Sequence, residues 1–263
     1  MISIAITTYN EEANIKQCLQ SIKDVADEII VVDGSSTDKT RDLAKDLGAR
    51  IIKTTNKKNF HINKQMAIDA CKGDLILQLD ADEVVDKELS KFIEKIATKT
   101  PEKESKDKLK PVAWYIKRKN YFMGRVLKKG GQYPDSVIRL FYKGKAELPL
   151  KDVHEQMKVT GETAVAEGHL LHYSNPSFKD YLRKFNTYTR FKAQQLKDDK
   201  LQINFRNSIN YLLFKPMITF LSIYFRHKGF MDGFPGFIFA LFSGFHHCIA
   251  YLKLWELYEK NKS

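Results

Sequence analysis

The sequence predicts an α/β protein in which a mixed, mostly parallel sheet wrapped by helices occupies residues 1–175 and a helical region occupies 176–263. Three observations carry this expectation. Residues 1–100 alternate β-branched runs with segments of helical spacing in the order βαβαβαβ, the signature of parallel strands joined by helical crossovers. β-rich segments at 112–119, 136–143 and 163–173 extend the sheet, and from Ser177 onward the periodicity turns helical. The chain has 263 residues, 43% of them hydrophobic and 12% aromatic. That is enough to bury a sizeable core, which excludes wholesale disorder, a collagen-like repeat and a disulfide miniprotein.

Taken in order, Ile2, Ile4 and Ile6 alternate as a half-buried strand does. Ile15, Cys18, Leu19 and Ile22 recur at spacings of three and four and so share one helix face. A second strand is expected at Glu28–Asp33, a cap for the next helix at Ser36 or Thr37, and a third strand at Ile51 and Ile52. Met66, Ala67 and Ala70 give a helix face ahead of the apolar run at 75–79, which reads as a strand buried on both sides. Residues 98–111, rich in Lys, Glu and Asp and holding Pro101 and Pro111, read as a solvated surface loop. Beyond Ser177, Tyr181, Phe185, Tyr188, Phe191 and Leu196 can line one face of a long basic helix, a spacing that more often marks a core-facing stripe. The final part of the chain is expected to form helical hairpins.

In an open parallel sheet, ligands bind beyond the carboxyl ends of the strands. Those ends are polar and acidic here: TTYNEE at 7–12, DGSSTD at 33–38 and DADE at 80–83. Three acidic or amide clusters therefore converge on one crevice. Asp80 and Asp82, separated by one residue past a buried strand, can hold Mg²⁺ or Mn²⁺, because these hard cations take oxygen ligands and keep open positions for phosphate. Alone, such a pair more often caps a helix, here one starting near Asp86, and Asp33-Gly-Ser-Ser alone reads as an ordinary strand-to-helix turn. Their occurrence together favours chemistry.

Together, TTYNEE at 7–12, VVDGSSTDKT at 31–40 and LQLDADE at 77–83 resemble the family 2 glycosyltransferases of the GT-A fold, a Rossmann-like nucleotide-sugar-binding domain. Looser matches follow at SVIRLF (136–141), DVHE (152–155) and LLHY (170–173), and the set resembles the bacterial lipopolysaccharide-core branch, which transfers a hexose to an inner-core sugar. Beyond 177 the resemblance rests on patterns such as GFMDG at 229–233 and KLWE at 253–256. It implies an inverting, metal-dependent hexosyltransferase that takes a UDP-sugar, with glucose as the sugar, and a lipid-linked saccharide as acceptor. Asp33 would accept a hydrogen bond from the nucleotide base with Thr8 and Glu11 beside it, and Lys64 would belong to the nucleotide pocket, although Gln65 stands where the family more often has Asn. Asp80 would face the ribose or the metal, and Asp82 would bind the Mg²⁺ or Mn²⁺ that bridges the donor phosphates. Glu155 is implied as the base that deprotonates the acceptor hydroxyl, with Asp152 in reserve, and His172 as a further metal ligand with His169 as its competitor.

Forty-four Lys and Arg against 32 Asp and Glu give a formal charge of +12, so the favoured partners are polyanions. Two other function classes share part of the pattern. A nucleotidyltransferase would use similar phosphate chemistry, but there is no Gly-rich phosphate loop with its Lys. Nucleic-acid binding would suit aromatics interleaved with cations at 181–214, but no recognised module is present, and nucleic acid is not an expected partner. An anionic membrane surface fits the basic helix at 177–206 and the apolar, aromatic stretch at 209–258. Residues 234–252 are apolar enough to tempt a membrane-spanning reading, but Gly236, Gly244, His246 and His247 interrupt a segment of minimal length. The start of the chain lacks the basic and long apolar regions of a secretory signal, and Cys18, Cys71 and Cys248 form no CxxC pair. The expected location is therefore cytoplasmic, peripherally associated with the inner membrane.

Overall fold

The computed structural model describes residues 1–57, 59–98, 110–149 and 156–260. Most of the loop expected at 98–111 lies outside the described residues, as do Asp152 and Glu155. The chain divides into two compact units, residues 1–119 with 135–172, and residues 120–134 with 173–263.

The first unit begins with β1 (Ile2–Thr8), α1 (Ile15–Ser21), β2 (Glu28–Asp33), α2 (Thr40–Asp46), β3 (Arg50–Lys53), α3 (Phe60–Asp69) and β4 (Leu75–Asp80). It continues through β5 (Glu83–Val85), α4 (Lys87–Thr98), β6 (Ala113–Phe122), β7 (Arg125–Val126), β8 (Asp135–Tyr142), β9 (Ala146–Glu147), β10 (Lys158–Val159) and β11 (Thr163–Asn175), of which β7 and the ends of β6 and β11 belong to the second unit. The main sheet runs β3-β2-β1-β4-β8-β6-β11-β5, with β7 on β6 and a separate β9-β10 ribbon. Its β3-β2-β1-β4 half is parallel throughout, and β8 joins β4 antiparallel.

Alternation along the strands builds two cores. Ile2, Ile4 and Ile6 of β1 and Leu75, Leu77 and Leu79 of β4 pack with Ile15, Cys18, Leu19 and Ile22, while Ala5 and Ile76, one residue out of phase, pack with Ala67, Ile68 and Phe141. Both sheet faces are therefore covered, which is why these strands read as nearly continuous apolar runs. β5 follows β4 almost at once, yet it pairs with β11 at the far edge of the sheet order. The sheet must curl to bring that edge back to the carboxyl end of β4, and the short β5 was not legible as a strand.

One local expectation is corrected, and the capping alternative for Asp80 and Asp82 is set aside. Ser36 and Thr37 do not cap α2, whose N-cap position is Lys39; the Thr40 amide donates to Asp38 instead. The helix after Asp80 and Asp82 is not capped by them, because Asp86 Oδ1 accepts the Leu89 amide at 2.9 Å.

The second unit holds α5 (Phe178–Asp198), α6 (Phe205–Ile209), α7 (Lys215–Leu221) and α8 (Gly233–Glu259). α6, a π-helical turn at Asn210–Phe214, α7 and a second π-helical turn at Ser222–Arg226 form one continuous rod. The expected stripe on α5 is only partly buried: Tyr188 and Phe191 are 59% and 63% exposed, while Thr189, Ala193 and Leu196 are the buried positions. The reason is the small pair Thr189 and Ala193, which admits α8. Lys253 Nζ donates to Thr189 Oγ1 at 2.7 Å, turning the adjacent aromatic positions outward.

Candidate active site

The parallel register sets the site. Thr8 lies opposite Asp33 and Thr7 opposite Asp80, so the carboxyl ends of β2, β1 and β4 stand side by side. The loops beyond them interlock: the Asn10 amide donates to Ser36 Oγ at 2.9 Å, the Thr37 amide to Asn10 Oδ1 at 2.8 Å, and the Glu11 amide to Thr40 Oγ1 at 2.8 Å. Asn10 adopts a left-handed backbone (φ 56°), which an Asn side chain bonded to the neighbouring loop supports. At Gly34 a Cβ would come within 3.4 Å of the Thr8 carbonyl and 3.2 Å of Asn56 Cα, so glycine lets the two turns close on each other.

Asp33 is fully buried at the centre of this junction. Its Oδ2 accepts from Thr8 Oγ1 at 3.0 Å and Ser36 Oγ at 2.5 Å, and its Oδ1 accepts the Ser36 amide at 3.0 Å with Arg41 Nη1 at 3.5 Å. Glu11 sits alongside, its Oε2 accepting from Asn14 Nδ2 at 2.7 Å. The structure thus brings Thr8, Glu11 and Asp33 together, with both Asp33 oxygens engaged.

A second cluster surrounds Asp80. Its Oδ1 meets Lys64 Nζ at 2.5 Å and its Oδ2 meets Arg139 Nη2 at 2.6 Å. Arg139 also reaches Glu83 Oε1 at 3.0 Å and donates to Gln78 Oε1. Glu83 is completely buried, takes Arg118 Nη1 at 3.5 Å and accepts the Asp80 amide at 2.9 Å; Arg118 in turn holds Asp135 Oδ2 at 2.7 Å. Burial works against the Asp80 carboxylate, but the Arg139 guanidinium and the Lys64 ammonium outweigh it and hold its pKa well below the usual carboxylate range. Burial draws the Lys64 pKa downward against the pull of Asp80, and Arg139 is raised because Asp80 and Glu83 outweigh its own burial. Cys18, beneath the cluster, is pushed far up by burial and then by Glu83, Asp82 and Asp80, so its thiol stays protonated.

Curling of the sheet delivers the third group. β11 pairs with β5 so that His172 lies opposite Glu83, which sets His172 Nε2 3.5 Å from Asp82 Oδ1. Both side chains are half-buried. A carboxylate and an imidazole at this separation suit adjacent ligands of one Mg²⁺- or Mn²⁺-sized ion, whose neighbouring ligands at ~2.1 Å stand about 3 Å apart. Both Asp80 oxygens are already held by cations. His169 does not join His172. It pairs with Asp86 at 3.2 Å, where Asp86, Glu88 and His169 form a separate group with ligand atoms within 4.8 Å of one another.

Arg139, Glu83 and Arg118 received no role from the sequence. The signal was present: a single Arg among apolar residues in SVIRLF has to find a buried partner, and Glu83 belongs to the acidic run at 80–83.

Fold and site together define an α/β protein that gathers paired carboxylates and cations at the carboxyl ends of its parallel strands. The Glycosyl transferase family 2 profile matches residues 3–102. An uncharacterized glycosyltransferase of Rickettsia typhi is 30% identical over 100% of this chain and 89% of its own length. The lipopolysaccharide core biosynthesis glycosyltransferase LpsC of Rhizobium meliloti is 29% identical over 97% of this chain and 92% of its own. The chain belongs to the family 2 glycosyltransferases and is a glycosyltransferase of GT-A, Rossmann-like fold with a helical C-terminal region. Among solved structures, glucosyl-3-phosphoglycerate synthase from Mycobacterium tuberculosis, in complex with Mn²⁺, UDP and glucosyl-3-phosphoglycerate, overlaps 47% of this chain and 44% of its own at 22% identity and a TM-score of 0.34. That overlap is too partial to transfer ligands.

Proposed function

We propose that this enzyme is an inverting, metal-dependent hexosyltransferase that moves glucose from UDP-glucose to a lipid-linked saccharide such as the lipopolysaccharide inner core. The observation that carries the reading is the alignment of Asp33, Asp80 and the Asp82–His172 pair at the ends of adjoining elements, in a family whose reaction is glycosyl transfer. The name of the Rhizobium meliloti relative supports the acceptor class.

In this reading residues 1–175 form the donor domain. Asp33 takes the base by exchanging one of its present partners, with Thr8 holding the carboxylate in place and Glu11 in the adjoining loop. Lys64 and Asp80 form the ribose and phosphate side of the pocket, and Arg139 keeps Asp80 ionised and oriented. Asp82 and His172 hold Mg²⁺ or Mn²⁺, which when bound neutralises charge on the departing diphosphate. Glu155 removes the acceptor proton as the hydroxyl attacks the anomeric carbon, with Asp152 as the reserve base; this part rests on the family resemblance of DVHE. Residues 176–263 associate with the membrane or the acceptor, and the enzyme is cytoplasmic and peripheral at the inner membrane, because a lipid-linked acceptor is embedded while the nucleotide-sugar donor is soluble.

Donor turnover tests the reading. Hydrolysis of a panel of nucleotide sugars should be greatest with UDP-glucose, require Mg²⁺ or Mn²⁺, and vanish in Asp82→Ala. Full activity in chelator, or in Asp82→Ala, would remove the metal role; preference for another nucleotide would remove the donor.

A further inference from the structure

The rod at 205–226 carries an apolar face that no described residue of its own unit covers. Its inner side packs on α8: Tyr211 stacks on Tyr251 with ring centroids 5.2 Å apart, Phe220 meets Phe237 edge-on at 6.0 Å, and a Cβ at Gly244 would lie 2.6 Å from the Pro216 carbonyl. The outer side presents Leu213, Phe214, Met217, Ile218, Leu221 and Phe225, all exposed, Ile218 by 60% and Phe225 by 57%. From Phe214 onward the spacings of three and four make one stripe, about 16 Å long at 1.5 Å per residue. Isolated exposed apolar residues are ordinary, but a continuous stripe of this size marks an interaction surface.

The surrounding charge identifies the partner. Residues 200–231 contain no Asp or Glu, yet hold Lys200, Arg206, Lys215, Arg226 and Lys228. Arg206 and Arg226 stand near the two ends of the rod. Lys215, the single charge within 207–225, places its ammonium 3.7 Å from the centre of the Tyr211 ring, the residue that faces α8. An apolar stripe with cations at both ends and a single cation between them, held over Tyr211, matches an interface with acyl chains below and anionic headgroups around. A second copy of the chain would set five like charges against five with no acid to offset them.

We infer that the Leu213–Phe225 face of this rod inserts into the acyl boundary of an anionic bilayer, lying in the plane of the membrane, with Arg206, Arg226 and Lys228 at the headgroups. This deepens the membrane association proposed above and rests on it for the kind of surface; within the apolar, aromatic stretch at 209–258 it assigns insertion to the rod. The face carries none of the donor-site residues.

The test uses the full-length chain and sedimentation with vesicles of phosphatidylcholine and phosphatidylglycerol. The wild type should bind, and Ile218→Glu/Phe225→Glu should bind about tenfold or more weakly, while UDP-sugar hydrolysis stays unchanged and certifies the fold of the donor domain. In a second variant, Ile218→Trp, brominated lipids should quench fluorescence beyond the wild-type level set by Trp114 and Trp255. Undiminished binding by the double variant, or no added quenching at 218, overturns the insertion face alone. Failure of the wild type to bind any vesicle overturns the membrane reading with it. A wild-type dimer that the double variant dissociates, with vesicle binding unchanged, would assign the face to a second copy and overturn the inference.

Discussion

Replacing Arg139 with Met removes the cation that joins Asp80, Glu83 and Gln78, keeping most of the side-chain volume. Glu83 has no solvent exposure, so its charge then lies in the interior with Arg118 Nη1 at 3.5 Å as its remaining cationic contact among the described residues and the Asp80 amide as a donor. Breaking a buried ion pair by removing one partner costs about 3–5 kcal/mol. Arg118 offsets part of the loss, which places the expectation near the lower bound, about 3 kcal/mol. At about 2–4 °C per kcal/mol for a unit of this size, the melting temperature should fall by about 6–12 °C. Trp114, buried in the core against Leu140, reports on this unit, and a Trp255→Phe background removes the other tryptophan signal. The double variant Glu83→Gln/Arg139→Met no longer buries an unpaired charge and should recover at least about 1 kcal/mol of the loss. If Arg139→Met melts within about 2 °C of the parent, or if Glu83→Gln adds to its defect, the network does not carry the energy assigned to it.

Two further outcomes follow from the site and the helical unit. Glu155→Gln should leave donor hydrolysis and donor binding nearly unchanged while lowering transfer to acceptor about 10²-fold or more; normal transfer by that variant together with a dead Asp152→Asn would move the base three residues upstream. On α8, burial and then His247, Lys192 and Lys253 draw the His246 pKa down, and burial and then Lys215 and Lys192 do the same for His247. The unfolded chain therefore takes up these protons first, near pH 6.5, and stability of this unit should decline as pH falls from about 7 through about 6.5 toward the lower folded values. Melting followed at Trp255 should show that decline, and His246→Gln/His247→Gln should flatten it; a flat wild-type profile would contradict the assignment.

The parallel half of the sheet was legible because its strands are buried on both faces and announce themselves as short apolar runs; Glu28–Asp33 appears with the bounds read from the sequence. The strand-end clusters were legible for the same reason, since polar residues directly after a buried run have to emerge at the carboxyl edge. Three things were not. β5 has three residues, too few for any period to show. On α5 the aromatics suggested the buried stripe; Tyr181 and Phe185 do meet Phe242 of α8, but further along the helix the contact takes small residues, so Thr189 and Ala193 go inside and Tyr188 and Phe191 outside. The network of Arg139, Glu83 and Arg118 joins residues 35 and 56 positions apart, and no local pattern records such pairings.

The sequence by itself determined the class of fold, the family and the chemistry-bearing strand ends, because these depend on periodicities and motifs contained within single elements. Tertiary structure alone decided which side chains meet there. The curl that carries β11 back to the end of β4 sets His172 beside Asp82 and leaves His169 with Asp86, and it buries Glu83 where the guanidinium groups of Arg118 and Arg139 and the Asp80 amide hold its charge. Those choices depend on strand order and register, which arise from packing between segments far apart in the chain.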